Sequence, residues 1–365
     1  TATDTTVVEG YTTDILTDLA LDWLDQERDP ERPFLLMYQH KAPHRNWQPG
    51  PDHLDAFDDV EFPLPPTFYD DYANRSSAPT QANMRIDSNL TAFDLKIDPP
   101  TRLNEEQLAV WNAAYEPRNE ELRRRFEAGE ITDEEFGFWK FQRYVKDYLR
   151  TVQSVDDGVG RVLDYLDEAG LAENTIVIYT SDQGWYLGEH GWYDKRWMYE
   201  PSLRTPFIVR WPAEVEPGSR SPRMVSNLDF APTFLDLAGA SVPQRMQGRS
   251  MRTLLEEGDD PDWRDSFYYH YYEYPGSHCV RRHYGVRTER YKLIHFYELG
   301  EWEMYDLESD PLEINSVYED AGYADIRTGL ERELAELREA YDVPEDTRPV
   351  DECNMDATGW DGYGT

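Results

Sequence analysis

Residues 175–212 read TIVIYTSDQGWYLGEHGWYDKRWMYEPSLRTPFIVRWP and combine clear strand signals with a dense group of reactive side chains. The first residues, Thr175–Tyr179, form a short apolar run that is typical of a buried parallel strand. Asp182 and Gln183 follow where that strand ends, and Pro206–Trp211 is a second β-like run. Open α/β sheets bind ligands beyond the carboxyl ends of their strands. The pattern therefore predicts an α/β fold with a ligand site beside Gln183.

The side chains of this loop favour a cation site without excluding a plain turn. A carboxylate and an amide oxygen side by side, as at Asp182 and Gln183, suit Ca²⁺ or Mg²⁺. The alternative is that Asp182 only caps a turn, and this short pattern does not separate the two. Lys195 follows in the same loop, among aromatic residues and near Glu189 and His190.

The charge of the chain excludes several classes of partner. The formal net charge is -37, from 73 acidic and 36 basic residues, which argues against nucleic acid and against anionic membrane surfaces. No apolar run approaches the roughly 20 residues of a membrane span. The chain has only six lysines, including Lys41 and Lys195. Abundant acid and scarce lysine indicate either a protein that works in high salt or an acidic protein from a GC-rich genome, and the composition leaves both open.

The length of 365 residues allows one large α/β domain, or a large domain with a smaller appendage. The two cysteines, Cys279 and Cys353, do not make a disulfide framework and leave the redox compartment undecided. The sequence starts at Thr1 without methionine or signal peptide, so we expect its true beginning to lie upstream.

A second loop of interest follows the first predicted helix, 11–27, and a predicted buried strand at Phe34–Tyr38. Two imidazoles, an ammonium and a guanidinium lie close together there, at His40, Lys41, His44 and Arg45. Such a cluster suits an anion, or a general acid beside one. The alternative is an exposed basic loop with one structural histidine.

The remaining elements are read from periodicity and turn signals. Residues 49–100 predict a long ordered loop. Apolar spacing predicts helices at 104–129, 132–169 and 229–238, the second of them ended by Gly170. Four short aromatic segments predict an antiparallel sheet covered by a helix at 326–341; they are 267–274, 280–287, 291–296 and 302–307.

Five segments together resemble the type I sulfatases of the alkaline phosphatase superfamily, especially the polysaccharide and N-acetylglucosamine-6-sulfate sulfatases. They are HKAPH at 40–44, SDQGWYLGEHGWYDKRWMYE at 181–200, SLRTPFIVRWP at 202–212, SNLDFAPTFLDLAG at 226–239 and YGVRTERYKLIHFY at 284–297. The resemblance implies an α/β fold, with an alkaline-phosphatase-like mixed sheet sandwiched by helices and a smaller C-terminal antiparallel sheet covered by a helix. We accordingly predict a partial sulfatase domain at 1–260, an α+β subdomain at 261–345 and an irregular tail at 346–365.

The resemblance also implies roles for individual residues. Asp182 and Gln183 match family ligands of Ca²⁺, with Mg²⁺ as the alternative. Lys195 matches the lysine that contacts the sulfate, and His44 matches the histidine that contacts sulfate or protonates the leaving oxygen. Residues that could line a sugar subsite are His40, Lys41, Arg45, Trp47, His190, Arg196, Arg282 and His283. For His190 and His283 a purely structural role is an equal alternative.

One family feature is absent from the sequence. The family nucleophile is a formylglycine made from Cys or Ser in a C/S-x-P/A-x-R motif near the N-terminus; neither cysteine heads that motif, and no serine in the N-terminal part of the sequence does. We therefore expect a C-terminal fragment that is inactive alone, with the formylglycine and the signal peptide in the missing N-terminal part.

The expected function of the whole protein is a sulfuric ester hydrolase that releases sulfate from a sulfated carbohydrate, exported to the periplasm or outside the cell. Two alternatives remain: a phosphodiesterase or phosphonate hydrolase of the same superfamily, and a non-catalytic glycan-binding remnant. The sequence upstream of Thr1 would separate a fragment from a remnant, and the oligomeric state is not indicated.

Overall fold

The computed structural model describes residues 5–350 and 352–353, and these residues form two compact units. The first comprises residues 5–65 and 85–172; the second comprises 66–84 and the described residues from 173 onward. The boundary expected between residues 260 and 261 falls inside the second unit, so that division of the chain stays a prediction. The expected tail, 346–365, contains no helix or strand in its described part; residues 351 and 354–365 lie outside the described residues.

The first unit is built from four helices. They are α1 (Thr12–Asp22), α2 (Ile86–Asn89), α3 (Glu105–Glu127) and α4 (Asp133–Glu168), and α1 continues as one π-helical turn at Trp23–Glu27. The helices predicted at 11–27, 104–129 and 132–169 are confirmed. Thr132 and Glu135 cap α4 reciprocally, and Gly170 follows it at φ +67°. The loop predicted at 49–100 is irregular apart from α2 and two short 3₁₀ turns, Pro51–His53 and Pro79–Gln81.

The prediction of a buried strand at Phe34–Tyr38 is wrong. This segment belongs to no strand, and Leu35 and Met37 are 63% and 67% exposed. A strand needs a neighbour for its backbone groups, and no strand of the described residues pairs with this segment. Tyr38 is nevertheless fixed, because its hydroxyl lies 2.5 Å from the Thr17 hydroxyl of α1.

The second unit holds the strands. They are β1 (Val177–Thr180), β2 (Tyr186–Leu187), β3 (Tyr193–Asp194), β4 (Phe207–Arg210), β5 (Ser266–Tyr271), β6 (His283–Thr288), β7 (Tyr291–Phe296) and β8 (Glu301–Asp306). Its helices are α5 (Glu200–Leu203), α6 (Phe230–Leu237), α7 (Arg252–Glu257) and α8 (Ala324–Ala340). The predicted β-like run at 206–211 and helix at 229–238 are confirmed.

Strand β1 forms where it was predicted but not as a buried parallel strand. It pairs antiparallel with β4, from Val177 opposite Arg210 to Thr180 opposite Phe207. Tyr179 and Ile208 are exposed. The prediction assumed parallel neighbours on both sides, whereas β1 has the single partner β4 within the described residues.

The predicted antiparallel sheet and its covering helix are confirmed, in the order β5-β6-β7-β8. One face packs Val286, Leu293 and Met304 against Leu330 and Leu334 of α8. The opposite face contributes residues such as Ile294, Phe296 and Tyr305 to a second cluster with Trp192, Trp197 and Tyr199. The sheet thus fixes the aromatic segment 184–203, which carries Lys195.

The end of the described chain is joined to this sheet. Cys279 and Cys353 form a disulfide with Cα atoms 5.8 Å apart and a sequence separation of 74, a pairing that the sequence did not indicate. Asp346 accepts hydrogen bonds from Arg282 at 3.0 Å and from the Tyr297 hydroxyl at 2.6 Å. Among the described residues, none of the helices is long and apolar enough to cross a membrane.

Candidate functional site

The turn after β1 carries the two expected metal ligands. Asp182 is exposed, and the Ser181 hydroxyl donates to the backbone oxygen of Gln183 at 2.9 Å and lies 3.4 Å from Asp182 Oδ1. The amide of Gly184 donates to the oxygen of Ser202 at 2.8 Å. A Cβ at Gly184 would lie 2.1 Å from the backbone oxygen of Pro201, so this close approach requires glycine.

The chemistry of these donors fits part of a hard-cation site. A carboxylate and an amide oxygen are two of the roughly six to eight oxygen ligands that Ca²⁺ takes. Within the described ranges, no group of three or more His, Cys, Asp or Glu side chains is arranged to hold a metal ion. Asp182 and Gln183 would therefore supply two ligands of such a site and would not complete it by themselves.

Lys195 lies beside a buried carboxylate. Its Nζ is 3.0 Å from Asp194 Oδ1 and 4.9 Å from the centre of the Trp185 ring. Arg196 Nη1 donates to Asp194 Oδ2 at 2.6 Å, and His278 Nε2 lies 2.9 Å from the same oxygen. Asp194 is only 2% exposed, so two expected site cations, Lys195 and Arg196, meet at one carboxylate in the interior of the unit.

Both the electrostatics and the backbone geometry of the turn at 194–196 are unusual. Burial alone would raise the pKa of Asp194, but the hydrogen bond from His278 and the charges of Arg196 and Lys195 outweigh it and hold that pKa well below its usual range. Asp194 and Arg196 have φ of +74° and +102°. Such conformations cost about 1–3 kcal/mol each in non-glycine residues and cluster at functional sites.

The structure places His190 and His283 in packed surroundings. His190 Nδ1 lies 2.7 Å from Asp70 Oδ2, its amide donates to the Thr67 hydroxyl, and it is buried. His283 is fully buried, stacks on Trp197 and lies with Nδ1 2.7 Å from the oxygen of Arg281. Burial lowers the pKa of His283 to about 4. These environments favour the structural alternative for both histidines, and their contact with a sugar stays a prediction.

In the first unit, the loop after residue 38 orients His44 and Arg45. His44 Nδ1 lies 3.0 Å from the oxygen of Arg45. Because a carbonyl only accepts, Nδ1 carries the hydrogen of this contact. Arg45 donates from Nε to Asp94 Oδ1 at 2.8 Å, and its second nitrogen pairs with Asp94 Oδ2. Asn46 also donates to Asp94, so a buried carboxylate fixes this turn.

The other expected sugar contacts of this loop differ in exposure. Lys41 is exposed. His40 packs edge-on against Tyr38, and neither ring nitrogen has a hydrogen-bond partner among the described residues; burial lowers its pKa. Trp47 is fully buried against Tyr144. That burial argues against a sugar contact for Trp47, whereas Lys41 is accessible to a ligand.

Sequence reasoning missed the residues that position the cations. Asp194 stands directly before Lys195, and that adjacency was a usable signal. His278 and Asp94 carry no such signal, because their partners lie 84 and 49 residues away. Arg282, an expected sugar contact, instead pairs with Glu298 and Asp346.

Comparisons with known proteins agree on one group of relatives. A family model described as Sulfatase matches residues 2–240, and one described as N-sulphoglucosamine sulphohydrolase, C-terminal, matches residues 188–340. An N-acetylglucosamine-6-O-sulfatase of Bacteroides thetaiotaomicron is 46% identical over 354 residues. An arylsulfatase of Clostridium perfringens is 29% identical over 332 residues.

These relatives are longer than the chain. The match to the Bacteroides protein covers 92% of this chain and 62% of the relative, and the match to the Clostridium protein covers 88% and 57%. A solved structure of a protein in complex with its substrate, D-glucosamine-2-N,6-O-disulfate, matches with a TM-score of 0.89 and 44% identity. It covers 92% of this chain and 71% of that one, and it confirms the predicted fold class.

Proposed function

Because the chain belongs to the sulfatase family, we propose that the whole protein hydrolyses the sulfate ester of a sulfated amino sugar. The observation that carries this proposal is the 46% identity, over 92% of the chain, to an N-acetylglucosamine-6-O-sulfatase. The structural relative that holds a glucosamine disulfate supports the same substrate class. A sulfated carbohydrate is therefore the proposed partner.

Lys195 is the proposed contact of the sulfate group. A sulfate ester is an anion, and negative charge develops on the leaving oxygen as the ester bond breaks. In a chain of net charge -37, binding such a substrate requires local cations. Lys195 and Arg196 supply two of them beside one carboxylate, and both side chains are largely shielded from water, which strengthens their attraction for an anion.

His44 is the proposed donor to the leaving oxygen. Its Nδ1 hydrogen is directed to the oxygen of Arg45, so a proton for the leaving group would come from Nε2. Imidazole suits this role because it exchanges a proton near neutral pH. The bidentate pair of Arg45 with Asp94 keeps the adjacent backbone in place.

Asp182 and Gln183 are the proposed protein ligands of Ca²⁺, with Mg²⁺ as the alternative. Such an ion would neutralise part of the sulfate charge. The family nucleophile is a formylglycine in a motif near the N-terminus, and no segment in the N-terminal part of this sequence matches that motif; the match at 241–245, SVPQR, follows α6 late in the chain. Cys279 and Cys353 are committed to a disulfide, so neither is a candidate precursor.

Export from the cytoplasm is part of the proposal. The support is the disulfide between Cys279 and Cys353, because such bonds persist in oxidising compartments and are rare in the cytosol. The periplasm and the extracellular space both satisfy this condition.

The test is an assay of the full-length protein, carrying its matured nucleophile, on three ester classes. We expect sulfate release from glucosamine-6-sulfate and slower turnover of a phosphate diester and a phosphonate ester. Lys195→Ala and His44→Ala should each lower kcat/KM by about 10²-fold or more, because each removes a group that meets developing charge. Lys146→Ala, which removes a half-buried amine that donates to the backbone oxygen of Asp58, is the matched control. Faster phosphonate than sulfate hydrolysis would contradict the proposal.

A further inference from the structure

A row of aromatic side chains crosses all four strands of the sheet β5–β8. In the strand register, His270 lies opposite Tyr284, Tyr284 opposite His295, and His295 opposite Trp302. The centres of these neighbouring rings are 5.4, 5.2 and 3.8 Å apart. Two further rings extend the series and complete what we call the aromatic row: Tyr272, stacked on His270 at 3.6 Å, and Tyr318, stacked on Trp302 at 5.7 Å.

The aromatic row lies on the face of the sheet away from Lys195. Successive residues of a strand point to opposite faces, and His295 stands between Ile294 and Phe296, which belong to the cluster with Trp197. The row therefore shares its face with helix α8, which covers the neighbouring row of side chains. Every ring of the aromatic row keeps part of its surface exposed. It is a surface feature separate from the cations proposed to contact the sulfate.

Hydrogen bonds hold the rings of the row in place. The Tyr284 hydroxyl lies 2.9 Å from His295 Nδ1, and the Tyr268 hydroxyl lies 2.8 Å from His270 Nδ1. Burial lowers the pKa of both histidines to about 4, so their rings are neutral near neutral pH. Fixed aromatic rings offer apolar faces to a ligand at little cost in side-chain entropy. Neighbouring strands are roughly 4.8 Å apart, a spacing close to the length of one sugar unit in a glycan chain.

The row also carries an excess of positive charge. Three guanidinium groups lie over its rings, with their central carbons 5.3, 4.2 and 5.0 Å from the ring centres: Arg348 over Tyr272, Arg338 over Tyr284 and Arg327 over Tyr318. Two carboxylates contact this group, since Asp346 pairs with Arg348 at 2.6 Å and Glu331 accepts from the Tyr318 hydroxyl at 3.0 Å.

Arg338 is the cation of this group that is available to a ligand. Its Nη1 donates to the Tyr284 hydroxyl at 2.7 Å, and its Nε is buried without a hydrogen-bond partner among the described residues. No carboxylate in the described part of the chain lies within ion-pair distance of its guanidinium group. In a chain of net charge -37, three cations against two carboxylates favour an anionic ligand.

From this geometry we infer that the aromatic row is a second binding surface, which takes a stretch of a sulfated glycan chain. The aromatic faces pack against the C–H faces of successive sugar rings, and the arginines pair with sulfate groups of the same chain. The inference rests on the proposed function for the class of ligand, and it adds a site that carries out no chemistry. Holding one part of a long glycan raises the effective concentration of its other sulfated units.

The test measures binding by isothermal titration calorimetry, in full-length protein with its nucleophile left unmatured so that no turnover occurs. The probe is a hexasaccharide in which uronic acid alternates with sulfated glucosamine. Trp302→Thr removes one ring and keeps a residue that suits a strand, whereas Arg338→Gln removes the charge. Each change should weaken hexasaccharide binding by about tenfold or more, because tryptophan and arginine contribute most to such surfaces.

Two controls separate binding from folding. In the matured protein, kcat/KM for the monosaccharide glucosamine-6-sulfate should stay within about twofold of wild type in both variants, because so short a substrate occupies only the site at Lys195. Arg332→Gln, which removes an exposed arginine from the same helix, should leave hexasaccharide binding unchanged. If Trp302→Thr does not fold, Tyr272→Ala takes its place, since Tyr272 is 42% exposed at the end of the row.

Three results would overturn the inference. The first is an unchanged affinity for the hexasaccharide in both variants. The second is equally tight binding of the same hexasaccharide without its sulfate groups, because the arginines would then have no role. The third is a dimer that Trp302→Thr dissociates, seen by light scattering, while glycan affinity stays the same; the row would then join two copies of the chain.

The same measurements separate this inference from the function on which it rests. Hexasaccharide binding that depends on Trp302 and Arg338, in a protein that releases no sulfate when matured, would contradict the proposed function and leave the second surface standing. Normal sulfate release together with unchanged binding in both variants would do the reverse.

Discussion

Gly184 shows how one residue without a side chain determines the geometry of the turn after β1. Its amide and that of Trp185 donate to the backbone oxygens of Ser202 and Pro201, at 2.8 and 2.7 Å. The atoms nearest to a Cβ at this position are all backbone atoms, which cannot move aside as a flexible side chain can. The placement of Asp182 and Gln183 therefore depends on a neighbour that offers no ligand atom.

The first prediction concerns this glycine. Gly184→Ala should lower the free energy of unfolding by about 2–4 kcal/mol, because the added methyl group forces the two backbone segments apart. Urea titration followed by circular dichroism measures the change. Gly329→Ala is the matched control: it lies in α8, and no described atom outside its own stretch of helix lies within 4 Å of its Cβ position, so the change should stabilise by about 0.5–1 kcal/mol. Equal unfolding midpoints for the two variants would contradict the argument.

At the scale of single residues, what the sequence revealed depended on the distance between partners along the chain. Lys195 and Asp182 stand in one dense segment and could be singled out directly. Asp94 and His278 could not, because their partners are far away in sequence and only folding brings them together. The roles expected for His44, Lys195, Asp182 and Gln183 stay predictions until activity is measured.

Among the elements, the sheet β5–β8 and its helix α8 were predictable and the segment at Phe34–Tyr38 was not. The sheet strands follow one another through short turns, and each finds its partner nearby in sequence. Composition alone does not supply a pairing partner, so the apolar run 34–38 remained outside any strand. The pairing of strands that are close in sequence could therefore be predicted, whereas pairing that depends on strands elsewhere in the sequence could not.

The second prediction is that acid destabilises this sheet. Burial lowers the pKa of His270, His283 and His295 from 6.5 to about 4. Between these values the unfolded chain binds more protons than the folded one, so stability is lost as the pH falls from 6.5 through 4. For the fully buried His283 the loss is at most about 3 kcal/mol.

Urea midpoints at pH 7.5, 6.5, 5.5 and 4.5 test this dependence. The midpoint should hold steady between the two higher values and fall at the two lower ones. His283→Asn should reduce the slope of this fall, whatever its effect at pH 7.5. A slope identical to that of the wild-type protein would contradict the assignment.

The third prediction concerns the link between the sheet and the end of the described chain. The disulfide joins two cysteines with a sequence separation of 74 and so closes a large loop. Closing a loop of this size restricts the unfolded chain, and its removal should lower stability by about 2–5 kcal/mol. Thermal unfolding with and without dithiothreitol measures the loss. The double variant Cys279→Ala/Cys353→Ala should be less stable than the wild-type protein and indifferent to the reductant; an equal effect of reductant on both proteins would contradict the interpretation.

For the whole molecule, charge is the dominant feature that no single element explains. The chain carries a formal net charge of -37, which opposes compactness through self-repulsion. Five sequence segments were enough to indicate the family, since their residues can be read without knowledge of the fold. The division into units was harder to foresee, because the C-terminal sheet packs against the aromatic segment 184–203 and shares a unit with it.

The fourth prediction follows from this charge. Raising NaCl from 0.1 M to 1 M shortens the Debye length from about 10 Å to about 3 Å and so screens the repulsion. The midpoint of thermal unfolding should rise, and KCl should act like NaCl because the effect is not specific to the cation. Exposed ion pairs such as Arg124 with Glu121 weaken under the same conditions but contribute little. An unchanged or lower midpoint in 1 M salt would show that repulsion does not limit stability.

The bond between Cys279 and Cys353 also determines how the molecule responds to proteolysis. Strands β6 to β8 and helix α8 all lie within the ring that this bond closes. A single cut by a protease anywhere between the two cysteines opens the ring but leaves both ends covalently attached. Nicked protein would therefore migrate as one species on a gel without reductant and as two fragments after reduction, and its C-terminal sheet could outlast damage that would release a linear segment.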